Sequence, residues 1–156
     1  HPQRFITGIT GKKDFSVVSL TKRGFSGEVG FLRRVLTIFE RHHISIDYVP
    51  NGVDNVSVLV PTEVVAPKLY AILGDIQKEI QPDTLEVFDQ IAVVAAVGRR
   101  MAHRPGISGQ IFASLGDAGI NIRMIIQSPY ELNIIFGVDN RDFAKAIQVL
   151  YDSFTK

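Results

Sequence analysis

Gly30-Phe31-Leu32, within the run Gly27-Glu28-Val29-Gly30-Phe31-Leu32-Arg33-Arg34-Val35-Leu36-Thr37-Ile38-Phe39-Glu40, returns 76 residues later as Gly106-Ile107-Ser108, and both open a helical pattern. The same offset carries Val17-Val18 onto Val93-Val94, Ile44 onto Ile120 and Ile46 onto Ile122. It also carries Val56-Ser57-Val58 onto Leu132-Asn133-Ile134. An ungapped offset that holds from a strand through a helix to a returning strand marks two copies of one supersecondary unit.

Each copy reads in the same order. In the first, Phe15 to Leu20 is short and β-branched, a strand. Phe31, Leu32, Val35, Leu36, Ile38 and Phe39 recur at helical steps, and His42-His43 fall where a cation favours the helix dipole. Ile44, Ile46 and Tyr48 then alternate with Ser45 and Asp47, Pro50-Asn51-Gly52 turns the chain, and Val56, Val58 and Val60 return. A second helix over about Val65 to Ile80 and a strand from Thr84 to Phe88 complete βαββαβ. The second copy offers Ile91–Val97, a helix Ile107–Ala118, Asn121–Ile126, Leu132–Val138 and a helix Asp142–Phe154, with no fourth strand of its own.

Phe5 to Thr10 has strand character and no partner in the first copy. An unpaired sheet edge exposes backbone donors and acceptors, so this segment is expected to cross over and complete the second sheet. The expected fold class is α+β: two ferredoxin-like βαββαβ domains in tandem, residues 14–90 inserted into a second domain of 4–12 plus 91–156.

Seventeen Lys and Arg stand against sixteen Asp and Glu in 156 residues, a formal net charge of +1. That balance leaves little for the basic face of a nucleic-acid binder. No cysteine is present, which excludes a disulfide framework and a thiolate metal site. No apolar run reaches the roughly 20 residues of a membrane span. His1-Pro2-Gln3-Arg4 lacks the basic-then-apolar plan of a signal peptide and reads like a cut end. A cytoplasmic location is expected.

With this order in view, the chain resembles the regulatory region of aspartate kinases, which carries tandem ACT domains. The run 27–40 resembles the start of that family's first ACT helix, and Ile44-Ser45-Ile46-Asp47 its following strand. Pro50-Asn51-Gly52-Val53-Asp54-Asn55-Val56-Ser57-Val58 is similar to the hairpin of a subset of these kinases. Val97-Gly98, Pro105-Gly106-Ile107 and Gly119-Ile120-Asn121-Ile122-Arg123-Met124-Ile125 resemble the second ACT domain. The likeness spans essentially the whole chain. It departs where Ser128-Pro129-Tyr130 precedes Glu131 in place of the family's small-residue run. It departs again in the missing kinase region: no Gly-x-x-x-x-Gly-Lys phosphate loop occurs. The resemblance therefore implies a regulatory part without catalysis or catalytic residues. No cofactor or metal is expected in this chain, and ATP and magnesium belong to the kinase domain.

An amino-acid effector brings an α-ammonium and an α-carboxylate. The first N–H groups of a helix are ready donors, and Gly30 lets a ligand approach them. Ser45 and Asp47 stand two apart on the adjacent strand and share a face, which makes Asp47 the candidate acceptor for an ammonium. Asn51, Gly52 and Asp54 could close the pocket. The expected effector site is Val29, Gly30, Phe31, Leu32, Ser45, Ile46, Asp47, Asn51, Gly52, Val53 and Asp54. A possible second site comprises Ile107, Asn121, Ile122 and Gln127. Lysine is favoured, because Asp47 and Asp54 can meet its two ammonium groups. Threonine and methionine remain open. The resemblance also implies a homodimer paired through its ACT domains, with the kinase catalytic domain as partner.

Blander readings stand beside each choice. A polar residue on an alternating strand is ordinarily solvated surface, and Gly30 and Gly106 serve any tight strand-to-helix turn. Gly98-Arg99-Arg100 with His103-Arg104-Pro105-Gly106 could cradle an anion, but such clusters are usually exposed basic loops. Adjacent His42 and His43 point apart on a helix and make no metal pair. Three other functions share this topology or size. A stand-alone ACT sensor is the first alternative. An RNA-recognition module would need aromatic side chains where this chain has Val56, Ser57, Val58, Leu132, Asn133 and Ile134. A small phosphate-cleaving hydrolase would have only Arg100 with Asn121, and would need one unit rather than two.

Overall fold

The structure, a computed structural model, describes residues 6–24, 30–50, 55–98, 106–126 and 133–154. Its elements run β1 (Ile6–Thr21), α1 (Phe31–Arg41), β2 (Asn55–Pro61), α2 (Thr62–Val65), α3 (Leu69–Glu79), β3 (Thr84–Gly98), α4 (Ile107–Asp117), β4 (Met124–Ile126), β5 (Asn133–Asp139) and α5 (Phe143–Phe154). Two compact units divide the chain, one of residues 14–90 and one of residues 1–13 with 91–156.

In the unit of residues 14–90, β1 and β2 pair antiparallel, with Phe15 opposite Pro61 and Thr21 opposite Asn55. Strand periodicity then sends Val18 and Leu20 of β1 and Val56, Val58 and Val60 of β2 to one face. All five are buried in one core with Phe31, Val35, Ile38 and Phe39 of α1 and Ile72 and Ile76 of α3. The α1 spacing of four, three and one is the apolar stripe of a helix laid on a sheet.

The other unit repeats the plan. Ile91 of β3 faces Asp139 and Val97 faces Asn133 across an antiparallel β3–β5 pair, and β4 lies along β5 with Met124 opposite Gly137. Ala92, Val94 and Ala96 of β3 meet Phe136 and Val138 of β5 in a core closed by Ile107, Ile111 and Leu115 of α4 and Ala146 and Leu150 of α5. Ile6 of β1, fully buried, belongs to this core. Strand order in the two units is alike: Tyr48, bridged to Leu59, then β2, β1 and β3 in the first; β4, β5, β3 and β1 in the second.

Four features differ from the sequence expectation. The second strand of each copy is short, a single bridge at Tyr48 and three residues at Met124–Ile126, where Ile44–Tyr48 and Asn121–Ile126 were expected. Among the described residues each lies at a sheet edge and pairs on one side only. The expected helix Val65–Ile80 begins earlier, at Thr62, and is interrupted by a 3-10 turn over Ala66–Lys68. Pro67 lacks the N–H that an α-helical ladder needs there. The expected strand Thr84–Phe88 continues to Gly98, and the first strand of the chain continues to Thr21. The last helix starts at Phe143 after a 3-10 turn over Asn140–Asp142.

The two copies also stop and start their first helix identically. Gly30 (φ 81°) precedes α1 and Gly106 (φ 82°) precedes α4, both left-handed. At the far end of α1, His43 N–H donates to Glu40 O at 2.9 Å and Ile44 N–H to Phe39 O at 3.0 Å. After α4, Gly119 N–H donates to Gly116 O at 2.9 Å and Ile120 N–H to Leu115 O at 3.0 Å. Both are Schellman ends, with Ile44 and Ile120 tucked into their cores beside Phe39 and Leu115. The left-handed position is Gly119 (φ 78°) in one copy and His43 (φ 60°) in the other. His43 thus carries backbone strain that its counterpart avoids. His43→Gly is expected to stabilise the protein by about 0.5–1 kcal/mol, the relief of strain less the added freedom of the unfolded chain. Gly119→Ala, with open space around the new Cβ, is expected to cost about 1–2 kcal/mol. Urea unfolding of both variants checks the opposite signs.

Candidate functional site

The start of α1 is built by backbone alone. Gly30 turns left-handed, its carbonyl accepts Arg34 N–H at 3.0 Å, and no side chain caps the helix among the described residues. The first N–H groups of a helix have no carbonyl four residues behind them within the helix, so this end is a donor surface. Phe31 commits its side chain to the core at 2% exposure, whereas Leu32 is 37% exposed. Any contribution of Phe31 to a ligand is therefore through its backbone.

Ser45 and Asp47 are both exposed, while Ile44 is buried and Ile46 packs against the core between them. Asp47 is fixed by its main chain, N–H to Leu59 O at 3.1 Å, beside the reciprocal bond from Leu59 N–H to Tyr48 O at 2.9 Å. Neither the Ser45 hydroxyl nor the Asp47 carboxylate has a side-chain partner among the described residues. That leaves an exposed carboxylate on the residue before the Tyr48 bridge. Val29, Asn51, Gly52, Val53 and Asp54 lie outside the described residues, as does Gln127 of the second candidate site.

The second candidate site differs at the position equivalent to Asp47. Ile107 is buried in its core and Ile122 packs against that core, while Asn121 is exposed. The residue 76 positions after Asp47 is Arg123. Its guanidinium donates to Asp139 at 2.5 Å, and its N–H to Gly137 O at 2.7 Å. A cation, already paired, stands where the first unit offers a carboxylate.

The sequence reading missed a polar clamp on the helical side of the first unit. Arg41 of α1 grips Glu79 of α3 through two bonds, at 2.6 and 2.9 Å, and reaches Asp75 at 3.3 Å. His42 Nε2 lies 2.7 Å from the same Asp75 carboxylate. Asp75 and Glu79 sit one helical turn apart and therefore share a face, a signal that only the fold connects to Arg41. The His42 hydrogen bond and then the charges of His42 and Arg41 hold Asp75 below the usual carboxylate range. Arg41 does the same for Glu79 and is itself held more firmly protonated.

Other chemistries find little footing. His42 is engaged by Asp75, and among the described residues no three His, Asp or Glu side chains cluster as a metal site. The anion-loop residues 99–105, including Arg100, lie outside the described residues. On β1 and β2, the sheet face opposite the helices carries Phe15, Val17 and Leu59, each 2% exposed or less. The more exposed residues of the same face, Ser19, Thr21, Asn55, Ser57 and Pro61, include no aromatic ring on which a base could stack. Among the described residues no helix is long and apolar enough to cross a membrane.

The first unit thus offers two separate polar features, the uncapped helix start at Gly30 and the exposed Asp47 carboxylate on the segment after α1, and the family model that matches, over residues 94–154, is that of the ACT domain. The relatives of the full span are aspartokinases. Aspartokinase 3 of Bacillus subtilis is 29% identical over 150 residues, 96% of this chain and 33% of that protein. The crystal structure of the Clostridium acetobutylicum aspartate kinase superposes with a TM-score of 0.92 at 41% identity, over 96% of this chain and 34% of that one. The regulatory subunit of aspartate kinase from Thermus flavus shares the fold, with a TM-score of 0.83 at 21% identity over 97% of this chain and 99% of that one. This chain is thus similar to the regulatory portion of aspartokinases, and spans about a third of the first two relatives.

The clamp makes a pH prediction. Carboxylates whose folded pKa is depressed stabilise the fold above their unfolded values, and that stability is lost as pH falls through the depressed ones. Wild-type stability should therefore drop on the acid side of the ordinary carboxylate range. The pair Asp75→Asn with Glu79→Gln should show a flatter acid limb in urea unfolding followed across pH.

Proposed function

We propose that the chain is the amino-acid-sensing regulatory region of an aspartate kinase. It comprises two ACT domains, residues 14–90 inserted into a domain formed by 1–13 and 91–156, and it carries no kinase chemistry of its own. The effector binds the first domain. Its α-carboxylate meets the backbone donors at Gly30, Phe31 and Leu32, and an ammonium meets Asp47 beside Ser45. Val29, Ile46, Asn51, Gly52, Val53 and Asp54 complete the pocket, which closes where two chains pair as a homodimer. Lysine is the effector that uses Asp47 and Asp54 together, while threonine and methionine would use one. The free amino-acid pool it would sense places it in the cytoplasm.

One observation carries this reading: Asp47 is an exposed carboxylate without a side-chain partner among the described residues, whereas Arg123 is consumed by Asp139 at the equivalent position of the other unit. The asymmetry supports a single amino-acid site per chain, in the first domain, and speaks against the second candidate site at Ile107, Asn121, Ile122 and Gln127. Sensing further requires that lysine bind one arrangement of the paired subunits better than another, because equal affinity shifts nothing. A coupling of about 1–3 kcal/mol is the usual size of such an effect.

Calorimetric titration with lysine, threonine and methionine tests the proposal. Saturable heat is expected with lysine. Asp47→Ala should keep the fold, as exposed substitutions cost little, and weaken lysine at least tenfold, about 1.4 kcal/mol. Equal lysine affinity in the variant would remove Asp47 from the site, and silence with all three amino acids would overturn the assignment for this chain.

A further inference from the structure

The outer face of α1 carries a second feature that the effector site does not use. A groove of about 310 Å³ runs between α1 and the C-terminal end of α3, lined by Arg33, Arg34, Thr37 and Arg41 with Glu79 and Ile80, and reaching Gly30. That volume lies at the small end of the range of ligand pockets, about 300–1,000 Å³.

Its charges are arranged rather than scattered. Arg34 Nη2 donates to the Glu79 carbonyl at 2.6 Å, which anchors that guanidinium over the end of α3. Glu79, the one acidic side chain among the lining residues, has both carboxylate oxygens taken by Arg41. Arg33 is left over: its carbonyl accepts the Thr37 hydroxyl at 2.7 Å, while its guanidinium has no partner among the described residues. The groove thus presents one uncommitted guanidinium and one anchored guanidinium, with its carboxylate already neutralised.

A row of charges on an exposed helix face is usually only solvated, and the internal repeat supplies a control for that reading. The positions 76 residues beyond Arg33, Arg34, Thr37 and Arg41 are Gly109, Gln110, Ala113 and Asp117 of α4. The same helix pair packs in the second unit without an arginine at those positions; in the first unit Arg34 and Arg41 tie α1 to α3, whereas Arg33 makes no side-chain bond among the described residues that would give it a part in the packing. Guanidinium groups are planar forks suited to two-point contact with carboxylate or phosphate oxygens.

We infer that this groove is a binding site for a small polyanion bearing phosphate or carboxylate groups, held chiefly by Arg33 and Arg34 and adjoining the amino-acid site at Gly30. The inference does not rest on the sensing role: Gly30 is common to both places, but Arg33 and Arg34 belong to the groove alone, and Ser45 and Asp47 take no part in it. Its test is calorimetric titration of the 156-residue chain in a buffer free of phosphate, once with pyrophosphate and once with citrate. Saturable binding by either is expected, and the tighter of the two assigns the anion as phosphate-like or carboxylate-like. Arg33→Gln should weaken that binding at least tenfold. Lys145→Gln, which removes the same charge from the exposed surface of α5, should leave it unchanged. Asp47→Ala should also leave it unchanged, so a failure of the amino-acid site would not be mistaken for a failure of this one. Equal weakening by the Arg33 and Lys145 substitutions would reduce the effect to general charge attraction and overturn the site. So would the absence of saturation with both probes.

Discussion

The backbone reversal at each end of the first helix is the constraint on which both units depend. A residue with positive φ, Gly30 or Gly106, swings the chain into the helix, and a second, His43 or Gly119, swings it out. Between these points an eleven-residue helix has room for three turns against the sheet. The exit drops Ile44 or Ile120 into the core, and that burial fixes which way the next residues face. Ser45 and Asp47 look outward because Ile44 and Ile46 are spent inward. A local positive-φ reversal, met by His43 in one copy and Gly119 in the other, thereby sets which way the residues several positions on will face.

Much of this was legible from the sequence, for physical reasons that differ by element. The repeat could be read because both copies must satisfy the same core, so Val17-Val18 and Val93-Val94, or Ile44 and Ile120, keep apolar character at equal spacing. Helix and strand periods gave α1, β2, α4 and β5 to within a residue or two. The second strand of each unit was overestimated, since alternation in Ile44 to Tyr48 records which side is buried and says nothing of how many ladder bonds an edge residue makes. Pro67 was visible in the sequence, yet the expected helix ran through it. The clamp of Arg41 on Glu79 was out of reach: the two residues are 38 apart and meet only once α1 and α3 share a sheet face.

The duplication is most informative where its copies disagree. Positions that serve the scaffold, such as the buried pairs Val18 and Val94 or Ile44 and Ile120, stay apolar in both. Positions that face outward have diverged: Asp47 against Arg123, Arg33 and Arg34 against Gly109 and Gln110. The first pair exchanges an exposed carboxylate for a guanidinium bonded to Asp139, and the second puts two guanidinium groups in the first unit where the second has none. That pattern is what the proposed function, with its site in residues 14–90, predicts.

The central claim is that one unit, and not its copy, reads a free amino acid. Backbone amide shifts followed by NMR during a lysine titration test this most directly. The account predicts saturable shifts at Gly30 to Leu32 and at Ser45 to Asp47, with Gly106 to Ser108 and Asn121 to Arg123 unmoved. Comparable shifts in both sets, or shifts confined to the second, would contradict it.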